Sequence, residues 1–202
     1  MRQLCMAAVL LVISLRAVAQ ENSLKPRMSD VPLTTEQIAV YRAVLTDYLN
    51  GSDGALNLAN ITEPIDESDK ACFGGIDAGV IKESASVIHR IELSVVANTK
   101  IVLVDPDPQQ KTIKENDPQN VIKKAIDDRQ KVTDEQLNQA VKSAFSSALF
   151  ELSEIVFDKE HRRAVVSYSF VCGELCGNGN TLVLKKVGQG WKVAKRCGGW
   201  IS

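Results

Sequence analysis

The chain has 202 residues, of which 45% are hydrophobic, and this is enough to build the core of one domain. Its 24 Lys and Arg residues nearly balance its 25 Asp and Glu residues, so the formal charge is −1, and no basic block is present. This balance argues against nucleic acid and against an anionic membrane surface as the main partner, because both bind strongly basic proteins.

The N-terminus has the features of a secretory signal. Arg2 precedes an apolar run over residues 4–15, and residues 17–19 form the small-x-small sequence that signal peptidase accepts. The run is about 12 residues long, whereas a membrane-spanning helix needs roughly 20. We predict that residues 1–19 are removed and that the mature protein is secreted or periplasmic, without a stable membrane span. Retention as an N-terminal anchor is the alternative, because Arg16 is unusual so close to a cleavage site.

The mature chain is predicted to begin with a polar segment and to continue as one domain. Residues 20–31 lack hydrophobic periodicity, which predicts a flexible arm, and residues 32–202 are predicted to form a single α+β domain. Thr34 and Gln37 make a capping box, and apolar residues then recur at helical spacing up to Asn50. This pattern predicts the first helix.

The next part of the chain combines short strands with loops. Residues 55–61 predict a strand, residues 63–75 a loop and residues 100–104 a second strand. Residues 76–98 are ambiguous, because apolar spacing that suits a helix is combined with Gly79 and with β-branched residues.

Two prolines follow the second strand. Pro106 and Pro108 lack the backbone N–H group that helix interiors and central strands require, so residues 105–117 are predicted to form an irregular, rigid connection. Asp117 and Pro118 then supply an N-cap and a first-turn proline for a short helix.

The strongest helix signal covers residues 133–149. Thr133 and Gln136 form a second capping box, and an apolar stripe follows without a break. The members of the stripe are Leu137, Ala140, Val141, Ala144, Phe145, Ala148 and Leu149. Because small residues in the stripe allow close packing, we expect this helix to pack on the sheet.

From residue 152 the hydrophobic period changes to two, which predicts a β-meander. A tight turn at residues 188–189 would place Leu182 opposite Lys195. The residues predicted to face the core are Leu182, Leu184, Trp191 and Val193. Those predicted to face solvent are Thr181, Lys185, Lys192 and Arg196. The predicted fold class is therefore α+β, with helices packed on a mostly antiparallel C-terminal β-meander.

The cysteines predict two disulfides. Without Cys5, which lies in the signal segment, four cysteines remain, and an even number in an oxidising compartment indicates pairing. Cys172 and Cys197 would lie two strands apart, about 9 to 10 Å, which exceeds the reach of a disulfide. We favour Cys172 with Cys176 and Cys72 with Cys197. The alternative, Cys176 with Cys197 and Cys72 with Cys172, stays open.

The same end of the meander is a possible binding rim, rich in glycine and carrying a tryptophan close to the C-terminus. The predicted rim residues are Gly173, Glu174, Leu175, Gly177, Asn178 and Trp200. Trp200 is interpreted either as a lid on the core or as a surface aromatic for ligand binding. The leading functional hypothesis is a binding module for an unidentified protein or cell-envelope ligand. We predict no catalytic residue, no metal site and no cofactor.

Two rival functions remain. Cys172 and Cys176 have a spacing that resembles the metal motif of some periplasmic copper-delivery proteins, although His89 and His161 are predicted to lie elsewhere. A small hydrolase would instead need two converging carboxylates in a pocket. The acids considered for such a pair are Glu83, Glu92, Glu151, Glu154, Asp158 and Glu174, and no pattern singles out two of them.

Residues 153–158 and 167–170, with the C-G-x-L-C-G segment and the C-G-G-W-I-S ending, resemble a group of uncharacterised secreted bacterial proteins. The resemblance implies export and no particular activity. A helix followed by a curled meander is also similar in shape to cystatin-like and nuclear-transport-factor-like folds, and this likeness does not imply a function.

Overall fold

The computed structural model describes residues 25–50, 54–66, 70–96 and 100–202. The predicted signal segment lies outside these ranges. The described residues form an α+β fold, as predicted, and the fold contains a seven-stranded sheet. In chain order the elements are β1 (Arg27–Met28), α1 (Thr35–Leu49), β2 (Leu56–Ala59), a 3-10 turn (Lys70–Cys72), α2 (Ala78–Ser84), β3 (Val87–Ile88), β4 (Ile101–Val104), α3 (Pro106–Glu115), α4 (Pro118–Asp127), α5 (Asp134–Ser147), β5 (Leu149–Leu152), β6 (Val156–Phe157), β7 (Arg163–Gly173), β8 (Cys176–Val187) and β9 (Gly190–Ile201).

The sheet combines a parallel edge with the predicted meander. Its strand order is β4-β2-β5-β7-β8-β9, and β6 pairs with the start of β7. β2 runs parallel to β4 and to β5, whereas β5, β7, β8 and β9 are joined by antiparallel pairs. The strands predicted over residues 55–61 and 100–104 are therefore confirmed, and they lie side by side.

The ambiguous residues 76–98 contain α2 and β3 among their described positions. β3 pairs in parallel with β1, outside the main sheet. β1 belongs to residues 20–31, the segment predicted to be a flexible arm, and its pairing places residues 27–28 beside the domain.

Helix α1 covers one face of the sheet, which we call the α1 face. Its capping box is confirmed, because the N–H of Gln37 donates to Thr34 Oγ1 at 3.2 Å and the N–H of Thr34 donates to Gln37 Oε1 at 2.8 Å. The buried residues of α1 are Val40, Tyr41, Val44 and Leu45. They belong to one core cluster with Ala164, Val166, Leu182, Leu184 and Trp191 of the meander.

Helix α5 fulfils only part of the role that its apolar stripe predicted. Its capping box at Thr133 is confirmed, but the helix ends at Ser147, and Leu149 begins β5. α5 packs on the sheet near its C-terminal end, where Ala144 contacts Cys172. Three large members of the stripe are exposed, namely Leu137 (39%), Val141 (38%) and Phe145 (56%). The expected packing on the sheet is therefore confirmed for the C-terminal end of α5 only, and α1 covers the larger part of that face.

The connection predicted over residues 105–117 is mostly a helix. α3 begins at Pro106, and Asp105 caps it by accepting a hydrogen bond from the N–H of Asp107 at 3.1 Å. Pro106 and Pro108 both lie in the first turn, where backbone N–H groups have no partner inside the helix. The prediction is wrong because the rule against proline applies to helix interiors and not to the first turn.

The β8–β9 hairpin contains two register shifts, and the one nearer the turn changes the predicted register first. The pairs nearest the turn match the prediction, but Ala194 is an extra residue, so that Leu182 lies opposite Arg196 and not opposite Lys195. This shift moves Arg196 to the α1 face, where it forms an ion pair with Asp47. The prediction that Arg196 lies on the solvent-facing side is therefore wrong.

The face of the sheet opposite α1 is covered at both ends. At one end, Arg163 donates hydrogen bonds to the carbonyl oxygens of Cys72 and Gly74, which fixes a covering segment. The buried residues of this part are Ile65, Cys72, Phe73, Val156, Val165 and Val183. At the other end, Ile113 of α3 packs against Leu149. The prediction of a fully solvent-facing side is thus wrong, and the open part is a polar stretch between two covers.

None of the helices within the described ranges combines the length and apolarity that crossing a bilayer requires.

Candidate functional site

One row of residues across four strands forms the floor of an open groove between these covers. Glu151 of β5 pairs with Ser169 of β7. Gly179 of β8 pairs with Ser169 on one side and with Trp200 of β9 on the other. Since neighbouring strands lie about 4.8 Å apart, the row is about 14 Å long. The groove above it has a volume of about 340 Å³.

Trp200 lies flat on the sheet because two glycines leave room for its indole ring. A Cβ atom on Gly177 would lie 3.0 Å from Trp200 Cζ3, and one on Gly179 would lie 2.7 Å from Cε2. Either side chain would therefore displace the ring. The side of Trp200 that faces away from the sheet is open to solvent, and the residue is 47% exposed.

Hydroxyl groups in the floor are held by hydrogen bonds. Ser169 Oγ donates to Glu151 Oε2 at 2.9 Å, and Ser167 Oγ lies 2.9 Å from Thr181 Oγ1. The N–H of Ser167 donates to Ser153 Oγ at 2.8 Å. Because these side chains are partnered, the floor of the groove is ordered before any ligand arrives.

Glu63 forms another part of the groove wall. Its backbone is fixed beside β5, because its N–H donates to Leu152 O at 2.8 Å and its carbonyl accepts from the N–H of Glu154 at 2.7 Å. Burial and, second, the charge of Glu151 raise the pKa of the Glu63 carboxyl. Among the described residues that line the groove there are three carboxylates, with Asp66 as the third, and no Lys or Arg. The groove is therefore rich in hydrogen-bond acceptors.

A second cavity, of about 290 Å³, adjoins the groove at Glu151 and extends toward α3 and α4. Ile113 and Lys114 of α3 line it, together with Gly173 of the predicted rim. Asp117 closes this end, since its two oxygens accept from the N–H groups of Gln119 and Glu174 at 2.8 and 2.7 Å. The recess on this face is therefore longer than the groove alone.

Both favoured disulfides are present. Cys72 and Cys197 are joined with a Cα–Cα distance of 5.7 Å, and Cys172 and Cys176 with one of 5.0 Å. The first ties the covering segment to β9. The second packs against α5 through Ala144, on the α1 side and away from the groove.

The structure places the predicted rim residues around two recesses. Leu175, Gly177, Asn178 and Trp200 line one open recess, in which Leu175 is 74% exposed. The side chain of Asn178 also forms a hydrogen bond with Tyr48. Gly173 and Glu174 line the cavity beside α3 and α4. Trp200 lines the groove as well.

The histidines lie away from the thiols. His89 Nδ1 is 2.9 Å from the carboxylate of Glu154, and His161 Nδ1 is 2.7 Å from Glu36. Of the six acids considered for a carboxylate pair, Glu151 lines the groove. Glu63, which also lines the groove, was not among the six acids, because it lies in residues 63–75, which are predicted to form a loop. The parallel bridge between Glu63 and Ser153 brings it beside β5, and no local pattern signals such a bridge.

Comparison with protein-family models, with curated proteins and with solved structures yields no match for this chain.

Proposed function

We propose that this protein is an exported binding module, stabilised by two disulfides, whose ligand-binding surface is the groove beside Trp200. Export is supported by the predicted signal segment and by the two cysteine pairs, since disulfides persist in oxidising compartments. Trp200 of the predicted rim lines this groove beside its polar floor, and we therefore place binding there.

The observation that carries the proposal is the open row from Glu151 to Trp200. The chain covers the same sheet face on both sides of this row, with the Cys72 segment at one end and α3 at the other. An ordered polar floor with a half-exposed aromatic is left between them. Concave sites with an aromatic wall and a few placed polar groups are typical of ligand binding.

A binding role fits this geometry better than thiol chemistry. The sulfur atoms of Cys172 and Cys176 are joined to each other, and they lie beside Ala144, away from the groove. A copper or redox role at this pair would need its reduction first. Nothing in the groove would take part in such a reaction.

A small hydrolase is the second candidate, and one observation favours it. The charge of Glu151 contributes to the raised pKa of Glu63, and a carboxyl group with a raised pKa beside a second carboxylate is the arrangement that acid–base hydrolysis of a glycosidic bond uses. If this candidate is right, the protein cleaves an oligosaccharide, and Glu63→Gln and Glu151→Gln each abolish cleavage. The binding module predicts that no product forms with the unaltered protein.

The proposed function is tested by capture on the immobilised, exported protein. Medium and envelope fractions of the producing cell are passed over the unaltered protein and over the Trp200→Ala and Leu93→Ala variants. Leu93 is the matched control, since it is a large exposed apolar residue outside the groove and outside the predicted rim. We expect retention of material that is lost with Trp200→Ala and kept with Leu93→Ala. Equal retention by all three proteins, or none by any, would contradict the proposal.

A further inference from the structure

The flat orientation of Trp200 limits what can bind beside it. One side of the indole ring packs on the backbone at Gly177 and Gly179, so the ring cannot turn edge-on without losing these contacts. A ligand therefore meets the broad side of a fixed aromatic ring. The face of an aromatic ring carries negative charge density, and it attracts groups whose hydrogens are partly positive. The C–H face of a pyranose ring is such a group.

The polar groups of the groove determine which hydrogen-bonding groups a ligand must carry. Glu63 and Glu151 offer carboxylate oxygens, which accept hydrogen bonds and cannot donate them when ionised. A ligand must then bring its own donors, and sugar hydroxyl groups are donors distributed on all sides of the ring. Carboxylate oxygens also form stronger hydrogen bonds than neutral acceptors do.

The charge of the groove favours neutral sugars over anionic sugars. Because the described lining contains carboxylates without Lys or Arg, a uronic acid or a sulfated sugar would meet like charges at close range. The length of the row, about 14 Å, favours an extended molecule with repeated hydroxyl groups over a compact ion. The adjoining cavity beyond Glu151 is lined in part by Lys114 and Lys123, so the charge argument applies to the groove beside Trp200 and not to that cavity.

We infer that the groove binds a neutral oligosaccharide, with Trp200 stacking on one sugar ring and with Glu63 and Glu151 accepting hydrogen bonds from its hydroxyl groups. This inference rests on the proposed function, since it names the ligand class of the same groove.

The test is isothermal titration of the exported, disulfide-bonded protein with defined probes. The neutral probes are cellotetraose, maltotetraose and chitotetraose, the anionic probe is tetragalacturonic acid, and the cationic probe is spermidine. We expect at least one neutral probe to bind, and tetragalacturonic acid to bind at least about tenfold more weakly. Loss of the stacking ring in Trp200→Ala should weaken binding about tenfold or more.

Two matched variants keep the result interpretable. Gly179→Ala inserts a Cβ under the indole ring and should weaken binding as Trp200→Ala does, whereas Gly190→Ala adds a Cβ whose nearest neighbour lies at 3.9 Å and should leave binding unchanged. Circular dichroism establishes that each variant is folded.

Binding of spermidine alone, binding of no neutral probe, or neutral binding that is unaffected by Trp200→Ala would overturn the inference. Its failure differs from failure of the proposed function. If no sugar binds while capture from cell fractions still depends on Trp200, the ligand class is wrong and the groove remains the binding surface. If capture does not depend on Trp200, both are wrong.

Discussion

Glu154 is a buried carboxylate whose partners come from distant parts of the chain. It is 3% exposed, Thr62 Oγ1 donates to it, and His89 Nδ1 lies 2.9 Å from its oxygens. Tyr41 is nearby, since its hydroxyl donates to Ser153 O at 3.0 Å. Burial and, second, the charge of Glu154 raise the pKa of Tyr41. These bonds join α1, the segment after β2 and the end of β5.

We expect Glu154→Ala to lower the free energy of unfolding by about 3 kcal/mol, because it leaves Thr62 and His89 without their shared partner in a buried site. Urea denaturation at neutral pH measures the change. Glu160→Ala is the control, since Glu160 is exposed in the β6–β7 turn, and it should change stability by less than about 0.5 kcal/mol. Equal effects of the two variants would show that the network does not stabilise the fold.

Glu63 makes the stability of the protein depend on pH. Because its pKa is raised in the folded state, the folded protein holds this proton more tightly than the unfolded chain does. The stability contribution of Glu63 therefore decreases as pH rises from the ordinary glutamate pKa through the raised value. Glu63→Gln should raise Tm at pH 7, by less than about 4 °C because solvent screens the site, and the difference should vanish once Glu63 is protonated.

Scanning calorimetry of the Glu63→Gln variant between pH 3 and pH 7 tests this prediction. Glu160→Gln is the matched control at an exposed position. A lower Tm for Glu63→Gln at pH 7 would mean that the negative charge of Glu63 stabilises the fold, contrary to our account.

Among the helices, α1 supplies most of the buried residues of the core, although both α1 and α5 carry an apolar stripe in the sequence. Hydrophobic spacing shows that a helix has an apolar side and does not show which surface is available to cover it. α1 fits across β7, β8 and β9, and α5 packs mainly against α4 and the end of the sheet.

Valine substitutions distinguish the two helices. Val44 of α1 is fully buried and Val141 of α5 is 38% exposed, so Val44→Ala should lower the free energy of unfolding by about 2 kcal/mol and Val141→Ala by less than about 0.5 kcal/mol. Chemical denaturation of both variants at the same pH measures the difference. A larger loss of unfolding free energy for Val141→Ala would contradict this account, because it would mean that the exposed side of α5 is buried against another molecule.

For the whole molecule, the two disulfides differ in the length of chain that they close. Cys72 and Cys197 are 125 positions apart, whereas Cys172 and Cys176 are four apart. By chain entropy the long loop stabilises the fold by about 5 kcal/mol and the short loop by about 2 kcal/mol. The long bond also holds the covering segment at the end of the groove.

We therefore expect the double variant Cys72→Ala with Cys197→Ala to lose more stability than Cys172→Ala with Cys176→Ala. Denaturation without reductant compares them, and a thiol count by mass spectrometry on the unaltered exported protein should find all four cysteines oxidised. Reduced cysteines in that protein, or a larger loss from the short pair, would contradict the structural role of these bonds.

Local features of this protein could be predicted from sequence alone. The capping boxes at Thr34 and Thr133 are set by residues three positions apart, and the register near the β8–β9 turn is set by two turn residues. Strand spacing also excludes a direct bond between Cys172 and Cys197, which leaves two pairings open, and the favoured one of these two is present. Each of these depends on neighbours in the chain or on standard distances.

The groove could not be predicted from the sequence, because its residues come together only in the folded chain. Glu151, Ser169, Gly179 and Trp200 share one row because of strand order and pairing. A single extra residue in a strand turns the following side chains to the other face, as Ala194 does before Arg196. Glu63 joins the groove through a bridge to a strand about ninety positions later. Such contacts arise from the packing of the whole domain, so short segments predict several of the helices and the hairpin turn but not the groove.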